Sequence, residues 1–508
     1  MTEPLSSLAF LNQFWIILLF LIPIVLISRT VVAGTRYSAI LIVVIFGLAM
    51  GYILEVSEVS NPGLNDFPLV GFMAQTTIIA LVASFFVGGQ ELRKILGKKD
   101  LEGSDMVTPS DEEILLGTSR TQFFFIVRAF FILLGVQGLI SLLLGTNQGE
   151  LSSYYPIIAY IGFIGAVILI DNKAVITNKH LYLRKGLLEL VLIVGVLLLS
   201  YFIAQLIAPM IALPQIFFAM MISAGIGAVF YRWEFGPTMR SLLFAGIPIV
   251  LAANFLVGGS RIGEAFEIPG VNAVLVYGFF GQLLWMFGGI ALLMFFARTT
   301  NARNLAPGMA GALSHSGLTG ACTAGDFGKI AAKRAPIMIN VPFFGHIFVF
   351  SVLAVSADQG SLWIWPALLI VAVGVGLTIL ALTNLRKSKG EDRKEVTALM
   401  QFSFGWQLCA VFGGLAFLSM SSLAIDYAAM AQASAISHFG LFAAIQEGMF
   451  GSDAALLIPF VFSMPFLVHP LVFFMFGRAM ENNGDMPVIP VYIMAGAGLL
   501  GILAALFI

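Results

Sequence analysis

Continuous apolar runs of 18 or more residues recur along almost the whole chain, and they limit the possible folds more than any other feature. Each run is long enough to cross a hydrocarbon core of about 30 Å as a helix. The strands of a transmembrane barrel would alternate apolar and polar residues, which these runs do not do. Charged residues make up only 10% of the chain, against roughly 25% in soluble domains. We therefore predict an all-α polytopic membrane protein with about 13–14 transmembrane helices.

The extent of each apolar run gives the predicted spans. The first run has no basic residue before it and is followed by Arg29, so we predict a span there and not a signal peptide. The formal net charge of −1 gives no indication of a nucleic-acid partner. Cys322 and Cys409 lie in apolar surroundings and indicate no disulfide framework. The spans are predicted at 11–28, 37–54, 67–86, 122–145, 155–170, 186–207, 214–230, 240–257, 270–296, 336–356, 363–384, 402–424, 455–477 and 487–508.

Part of the chain is duplicated. Residues 314–350, here called the first copy, match residues 437–473, the second copy, at 16 of 37 positions after a shift of 123 residues without a gap. Two unrelated apolar segments would share only a few identities, so we infer an internal duplication. Four of the five histidines of the chain lie at equivalent positions of the two copies: His315 and His346 in the first, His438 and His469 in the second.

The duplication divides the chain into three predicted blocks. Residues 1–180 form an N-terminal transmembrane block with a fainter echo of the repeat, which is as readily a coincidence. This block includes a hydrophilic cytoplasmic loop at 88–121. Residues 185–358 form the first transmembrane repeat and residues 359–508 the second.

Basic residues alternate between loops, which predicts the topology. Lys and Arg occur in loops 29–36, 87–121, 171–185, 231–239, 297–307, 329–334 and 385–401, and none occurs in loops 55–66, 146–154, 208–213 and 357–362 or in the segment 425–454. The positive-inside rule then places both termini outside the cytoplasm. Each repeat also carries a Gly-rich stretch too short and too broken for a full span, at 308–328 and at 431–451. Basic residues flank the first and acidic residues the second, which favours an inverted repeat with two re-entrant or broken-helix segments. A parallel duplication with kinked, crossing helices is the alternative.

The two Gly-rich stretches hold the polar residues from which we predict a binding site. Irregular backbone at membrane depth is tolerated only inside protein or beside water or a ligand. The ends of broken helices can face an anion, and unwound carbonyls can coordinate sodium. The predicted substrate-binding residues are Ser314, His315, Ser316, Gly317, Thr319, Ser437, His438 and Gly440, with Gln282 and Gln407 from neighbouring spans; the predicted cation-binding residues are Thr323, Asp326 and Glu447. The alternative is a Gly-rich packing interface between helices.

His346 and His469 are expected to have structural roles. They follow the first pair by 31 residues, which is about 46 Å of rise if all of those residues were helical. A metal site of four histidines would need the chain to fold back, and no tight ligand spacing is present, so no metal is predicted.

An enzymatic function is not expected. Ser314 and His315 are neighbours on the chain, and neighbours rarely present a nucleophile to its base. The chain has no Gly-x-Ser-x-Gly elbow and no His-Glu-x-x-His motif. We therefore predict no catalytic residue and no cofactor, and an intramembrane hydrolase is the weakest of the alternatives.

The two segments around the histidines resemble those of the sodium:glutamate symporter family, mainly over residues 185–508. In that family each half carries a polar, Gly-rich re-entrant segment with a central His, preceded by a span that contains Gln. Residues 312–321 and 435–444 look like those segments, and Gln282 and Gln407 stand where the Gln of the span would be. The chain departs from the family in its length, in the extra N-terminal block, and in lacking a run of consecutive glycines around the first His.

The resemblance implies sodium-coupled symport of glutamate or a related small organic anion by alternating access. It also implies a homodimer, with a substrate core beside a dimerising scaffold. The expected location is the lipid bilayer of a bacterial inner membrane, and sodium is the expected coupling ion. A function of another class stays open, namely a membrane scaffold subunit that keeps a transporter-like fold without transport.

Overall fold

The structure, a computed structural model, is built almost entirely of helices. The part of the chain that it describes contains no β-strand, only two isolated β-bridges. Ten of its helices are long and apolar enough to cross a membrane, which confirms an all-α polytopic membrane protein. The described residues are 7–32, 37–56, 72–73, 76–97, 119–145, 149–169, 175–211, 215–233, 237–260, 262–266, 270–323, 325–388, 392–421, 423–446, 448–451, 454, 461 and 468–505.

The helices before residue 270 follow the apolar runs. They are α1 (Ser7–Val32), α2 (Ala39–Val56), α3 (Thr77–Leu96), α4 (Ser119–Leu144), α5 (Tyr155–Ile168), α6 (Val175–Ile211) and α7 (Gln215–Val229). Next come α8, in two parts (Pro237–Ser241 and Ile247–Ser260) joined by a π-helical segment (Leu242–Gly246), and the short α9 (Ile262–Phe266).

The duplicated part begins with α10, also in two parts (Val271–Gln282 and Gly288–Phe296) joined by a π-helical segment (Leu283–Phe287). It continues with α11 (Ala302–Ala312), α12 (Ser316–Thr323), α13 (Gly328–Gln359), α14 (Ile364–Lys387) and α15 (Asp392–Leu418). The last helices are α16 (Ile425–Ile436), α17 (Phe439–Gln446), α18 (His469–Glu481) and α19 (Val488–Ala505).

Small residues let several of these helices approach closely. A Cβ built on Gly51 of α2 would lie 2.1 Å from the carbonyl oxygen of Leu256 in α8. Between α14 and α15, a Cβ on Gly374 would lie 2.9 Å from the carbonyl oxygen of Gly405. Such contacts replace the hydrophobic driving force that lipid does not supply between transmembrane helices.

Large apolar side chains cover the outside of the helices in the duplicated part. Trp365 is 78% exposed, Ile489 is 72% exposed and Leu500 is 70% exposed. These residues have no apolar cover from protein, which is the pattern expected where a helix faces lipid. The outer surface therefore agrees with an integral, multi-pass membrane location.

Two predicted boundaries are wrong because polar residues with partners in the protein extend the helices. The third predicted span ends at residue 86, but α3 continues to Leu96, into the predicted loop 88–121. Gln90 there donates to the carbonyl oxygen of Phe230 at 2.7 Å, and Glu91 pairs with Lys94 at 2.6 Å. Buried polar groups with partners are tolerated inside a helix bundle, whereas an apolarity criterion reads them as a loop.

The span predicted at 402–424 likewise begins about ten residues too late, because α15 begins at Asp392. Glu395 in this added part accepts from the amide of Asn304 at 2.7 Å and lies 3.4 Å from Arg334. The span predicted at 455–477 lies largely outside the described residues, which resume there at residue 468.

Candidate functional site

Two helix breaks lie at equivalent positions of the two copies and are built in the same way. At the first, between α11 and α12, the N–H of Ser314 donates to Gly311 and the N–H of His315 to Ala310. At the second, between α16 and α17, the N–H of Ser437 donates to Ser434 and the N–H of His438 to Ala433. These are the two bonds of a Schellman cap, which ends a helix on a left-handed residue. Each break is here called a tip.

Serine, not glycine, occupies the left-handed position of each tip. The φ angle is 51° at Ser314 and 52° at Ser437. Left-handed backbone is unfavourable for residues with a Cβ, by about 1–2 kcal/mol. Strained backbone of this kind concentrates at functional sites. The strained serines fall at positions that the sequence predicts for substrate binding.

The two tips meet each other. His315 and His438, 123 positions apart in the chain, pair as an isolated antiparallel β-bridge. Both side chains are fully buried. The predicted site residues of the two copies therefore come together at one place.

A glutamine from the preceding span, which the sequence predicts as a site residue, lies against each tip histidine. The side-chain amide of Gln282, at the end of the first part of α10, is 3.0 Å from Nε2 of His315. The amide of Gln407 in α15 is 2.9 Å from Nε2 of His438. Both glutamines are fully buried. The π-helical segment begins directly after Gln282, and such segments are frequent at functional sites.

The sequence predicts structural roles for His346 and His469 because a straight helix would place them far from the tip histidines. The structure contradicts this distance. Nε2 of His469 lies 2.8 Å from Nε2 of His315, and Nε2 of His346 lies 3.1 Å from Nε2 of His438. The chain turns at Gly325, where φ is 87°, so that α13 runs back beside α12. A straight-helix estimate of distance therefore does not apply.

Each histidine pair joins one copy to the other. The tip histidine of the first copy meets the helix histidine of the second, and the reverse holds for the other pair. We call His315–His469 and His346–His438 the crossed pairs. Sequence identity between the copies marks all four residues, but it does not indicate that the partners are exchanged.

Glycines make room for the crossed pairs. A Cβ on Gly440 would lie 2.6 Å from Nε2 of His346. A Cβ on Gly317 would lie 3.3 Å from Cε1 of His469. These two glycines occupy equivalent positions, and both were predicted as site residues. Their role is to admit the ring of the other copy.

The hydrogen-bond pattern fixes the proton position on each neutral tip histidine. Nδ1 of His315 receives the backbone N–H of Leu318 at 3.1 Å, and Nδ1 of His438 receives that of Leu441 at 3.1 Å. A backbone N–H can only donate, so Nδ1 is an acceptor and the ring hydrogen is on Nε2. Each tip therefore directs an Nε2–H donor toward a glutamine and a histidine.

The same hydrogen fixes the amide orientation of the glutamines. A side-chain amide offers its oxygen as the acceptor for an N–H, and its two ends are exchanged by a half-turn. Turning the oxygen of Gln282 and of Gln407 toward the tip lets each Oε1 atom, which otherwise lacks a partner among the described residues, share the single tip hydrogen with the paired histidine. The same orientation applies at both equivalent positions.

This pattern does not suit a metal ion. A neutral histidine that binds a metal through Nε2 carries its hydrogen on Nδ1 and donates it to another group. At both tips Nδ1 instead accepts a backbone N–H. Within the described residues, no group of three or more His, Cys, Asp or Glu side chains converges as a metal site.

The remaining predicted residues are placed less closely together. Thr319 is fully buried, and its hydroxyl has no hydrogen-bond partner among the described residues. The hydroxyl of Thr323 donates to the carbonyl oxygens of Thr319 and Gly320. The side chain of Ser316, and Glu447 as a whole, lie outside the described residues.

Asp326, a predicted cation ligand, is bonded to the N-terminus of α2. Its carboxyl accepts from the hydroxyl of Ser38 and from the backbone N–H of Ala39. Burial raises the pKa of the Asp326 carboxyl, and the nearby Arg29 guanidinium opposes that shift. A carboxylate at this position caps the helix and interacts favourably with its dipole. The other carboxyl oxygen, Oδ2, is buried and has no hydrogen-bond partner among the described residues, and the cation role of Asp326 stays a prediction.

The geometry thus brings together two tip histidines, two glutamines and two further histidines from the two copies. All six side chains are buried. The arrangement offers Nε2–H donors at a helix break inside a membrane protein, beside the start of α12 and α17. No protein-family model, curated protein or solved structure matches this chain.

Proposed function

We propose that this protein is a secondary active transporter that carries a small organic anion, such as glutamate or a related carboxylate, by alternating access. The observation that carries the proposal is the meeting of the two tips, where His315 and His438 pair with each other. Binding sites built from broken helices at the interface of two repeats are the recurring plan of secondary transporters.

The proposal includes an inverted repeat with two re-entrant segments. A residue that pairs with its own equivalent lies on the axis relating the two copies, as in a two-fold interface. The antiparallel sense of the His315–His438 bridge and the exchange of partners in the crossed pairs support a two-fold axis between the copies, which gives an inverted repeat when it lies in the membrane plane. The charge difference between the flanks of 308–328 and 431–451 supports the same arrangement.

The tips suit an anion. The Nε2–H of each tip histidine is a donor, and α12 and α17 begin within one residue of it. The N-terminal end of a helix carries partial positive charge, which favours a carboxylate. Gln282 and Gln407 would orient the bound group through their amides. These features make a small carboxylate the best-supported substrate class.

Sodium is the coupling ion that we propose from the resemblance to sodium:glutamate symporters. Carbonyl groups at unwound helix ends are suitable ligands for it. In this proposal, the last carbonyls of α11 and α16 would supply ligands, and Asp326 would contribute through the carboxyl oxygen that is not bonded to α2.

Uptake into proteoliposomes tests the proposal. Labelled glutamate, aspartate and succinate are offered with and without an inward sodium gradient. Accumulation of one anion above its external concentration is the expected result, and His315→Ala and His438→Ala should each abolish it while the protein still inserts. His180→Ala is the control, because His180 lies on α6, outside the duplicated copies.

Two outcomes would contradict the proposal. Wild-type rates in both tip variants would remove the site assignment. No uptake of any of the three anions, together with no thermal stabilisation by them, would favour the membrane scaffold, because a ligand that binds the folded state must raise its stability.

A further inference from the structure

Each crossed pair has one hydrogen between two ring nitrogens. In the His315–His469 pair, His315 supplies the Nε2–H because its Nδ1 accepts from Leu318. Nε2 of His469 must then be the acceptor, since two N–H groups cannot face each other at 2.8 Å. The His346–His438 pair follows the same rule with the copies exchanged, and there the amide of Gln407 also lies 3.4 Å from Nε2 of His346. The hydrogen bond within a closed pair therefore requires both histidines to be neutral.

A carboxylate that enters a crossed pair changes which atoms donate and which accept hydrogen bonds. The tip Nε2–H then donates to the carboxylate or to the glutamine oxygen beside it. The acceptor nitrogen of His469 or His346 loses its donor and faces an anion with its lone pair. Two acceptors facing each other in a buried site are unfavourable, whereas a protonated ring has two donors and no acceptor.

We propose that anion binding takes up one proton from solvent at each crossed pair that it opens. The proton bonds to Nε2 of His469 or of His346, and the resulting N–H donates to the carboxylate. No other bond is made or broken, and the positive ring balances one negative charge of the anion. This inference rests on the proposed transport function and adds a proton to the ions that accompany the substrate.

The ionisable groups around the pairs leave the histidines as the proton acceptors. Within the described residues, Nε2 of each of the four histidines contacts another ring nitrogen or a glutamine amide, and Nδ1 of each tip histidine accepts a backbone N–H. Among the side chains that the structure describes on the helices that carry the pairs and their glutamines or form the tips, the other ionisable groups are Tyr277, Arg303, Cys322, Lys329, Lys333, Arg334, Asp358, Arg393, Lys394, Glu395, Cys409, Asp426, Tyr427, Arg478 and Glu481.

Of these groups, the nearest along the chain to a helix histidine is Arg478, nine residues beyond His469, which is about 13 Å of helix rise. Tyr277 is engaged with Gln432 at 2.9 Å, and Arg334 with Glu395. Histidine is also the side chain whose charge normally changes near neutral pH. An anion that enters a pair therefore meets histidine as its nearest titratable neighbour.

The experiment measures binding of labelled glutamate, aspartate and succinate to the purified full-length protein at several values of pH between about 6 and 8. Sodium chloride is kept constant and saturating. If binding takes up protons, raising the pH must weaken it, with Kd rising about tenfold per pH unit for each proton. Proton uptake on mixing is measured separately with an indicator dye in weakly buffered solution.

Two substitutions locate the proton. His469→Gln and His346→Gln place an amide N–H where the protonated ring would donate, so binding should need one proton fewer and the pH slope should fall. His180→Gln, on α6, is the matched control and should keep the wild-type slope. The wild-type dye measurement stands by itself if either variant fails to fold.

The outcomes separate this inference from the proposed function. Binding or uptake that is independent of pH, without proton uptake, would overturn the inference and leave the transporter proposal standing. A wild-type slope in both His→Gln variants would overturn the assignment of the proton to these residues. No binding and no uptake of any of the three anions would overturn the transporter proposal and the inference together.

Discussion

His315 and His438 are equivalent residues of a duplicated segment, and they pair with each other across an antiparallel β-bridge. Their side chains do not pair with each other in the same way. Each tip histidine instead contacts the helix histidine of the opposite copy, at 2.8 Å for His469 and 3.1 Å for His346. The two copies are thus joined by backbone at the tips and by side chains on either side of them.

Substitutions within one crossed pair should not be additive. Removing one histidine leaves the other buried without its partner, so His315→Ala and His469→Ala should each destabilise the protein. The double variant should cost less than the sum, by a coupling energy of about 1 kcal/mol or more. Thermal unfolding of the two single variants and the double variant in detergent measures this. The combination of His315→Ala with His346→Ala, which belong to different pairs, is the control and should be closer to additive.

The two equivalent glycines should differ in their tolerance of a methyl group. In Gly440→Ala the new Cβ would lie 2.6 Å from Nε2 of His346, so one of the two groups must move. Such overpacking should lower the free energy of unfolding by roughly 1–3 kcal/mol. In Gly317→Ala the nearest atom is Cζ of Phe473 at 3.2 Å, so the effect should be smaller. Tm and uptake are measured for both variants.

Gly376→Ala is the matched control for these glycine variants. Gly376 lies inside α14 with no atom within 4 Å of a built Cβ, so alanine should be neutral or stabilising, by up to about 1 kcal/mol. Equal effects of Gly440→Ala and Gly317→Ala would argue against the close approach of His346 to the second tip.

Glycine at the strained serine positions should stabilise the protein and weaken transport. Ser314→Gly and Ser437→Gly relieve a left-handed backbone, which should raise the free energy of unfolding by roughly 1 kcal/mol each. If the hydroxyl groups contact the substrate, uptake should fall although Tm rises. Ser314→Ala and Ser437→Ala separate the two effects, since they remove the hydroxyl and keep the strain. A lower Tm in both glycine variants would contradict the role of strain.

Cysteine labelling should report opposite sides for the two ends of α14. With both termini outside the cytoplasm, Ser361→Cys should react with a membrane-impermeant maleimide in intact cells, and Lys387→Cys only after permeabilisation. The native cysteines, Cys322 and Cys409, are buried, and labelling of the protein without an introduced cysteine gives the background signal. Reaction of both introduced cysteines from the same side would contradict the predicted topology.

The apolar runs predict most of the helices because length and hydropathy decide whether a segment can cross a bilayer. Such a criterion fails where a helix buries polar side chains. Gln90 and Glu91 lie within α3 because each has a polar partner in the folded protein. Hydropathy contains no information about such partners. α15 also begins earlier than hydropathy predicts, and there the half-buried Glu395 contacts Asn304.

The sequence predicts Gln282 and Gln407 as site residues, and the structure brings each of them against a tip histidine. The sequence does not predict the crossed pairs, because identity between copies shows which residues are equivalent but not which copy supplies the partner. That information depends on how the two copies pack. The structural roles expected for His346 and His469 rest on their separation from the tips along the chain, although they are as well matched between the copies as the tip histidines.

The π-helical segment after Gln282 makes the helix that carries the first glutamine different from the helix that carries the second. An added residue in one turn rotates everything after it by about 100° around the helix axis. α10 has this segment, and α15, which carries Gln407, is an unbroken α-helix. In a carrier that works by exchanging the roles of two copies, the exchanged arrangements would then differ in energy. The empty protein would rest facing one side of the membrane, and its substrate would meet unequal affinities on the two sides.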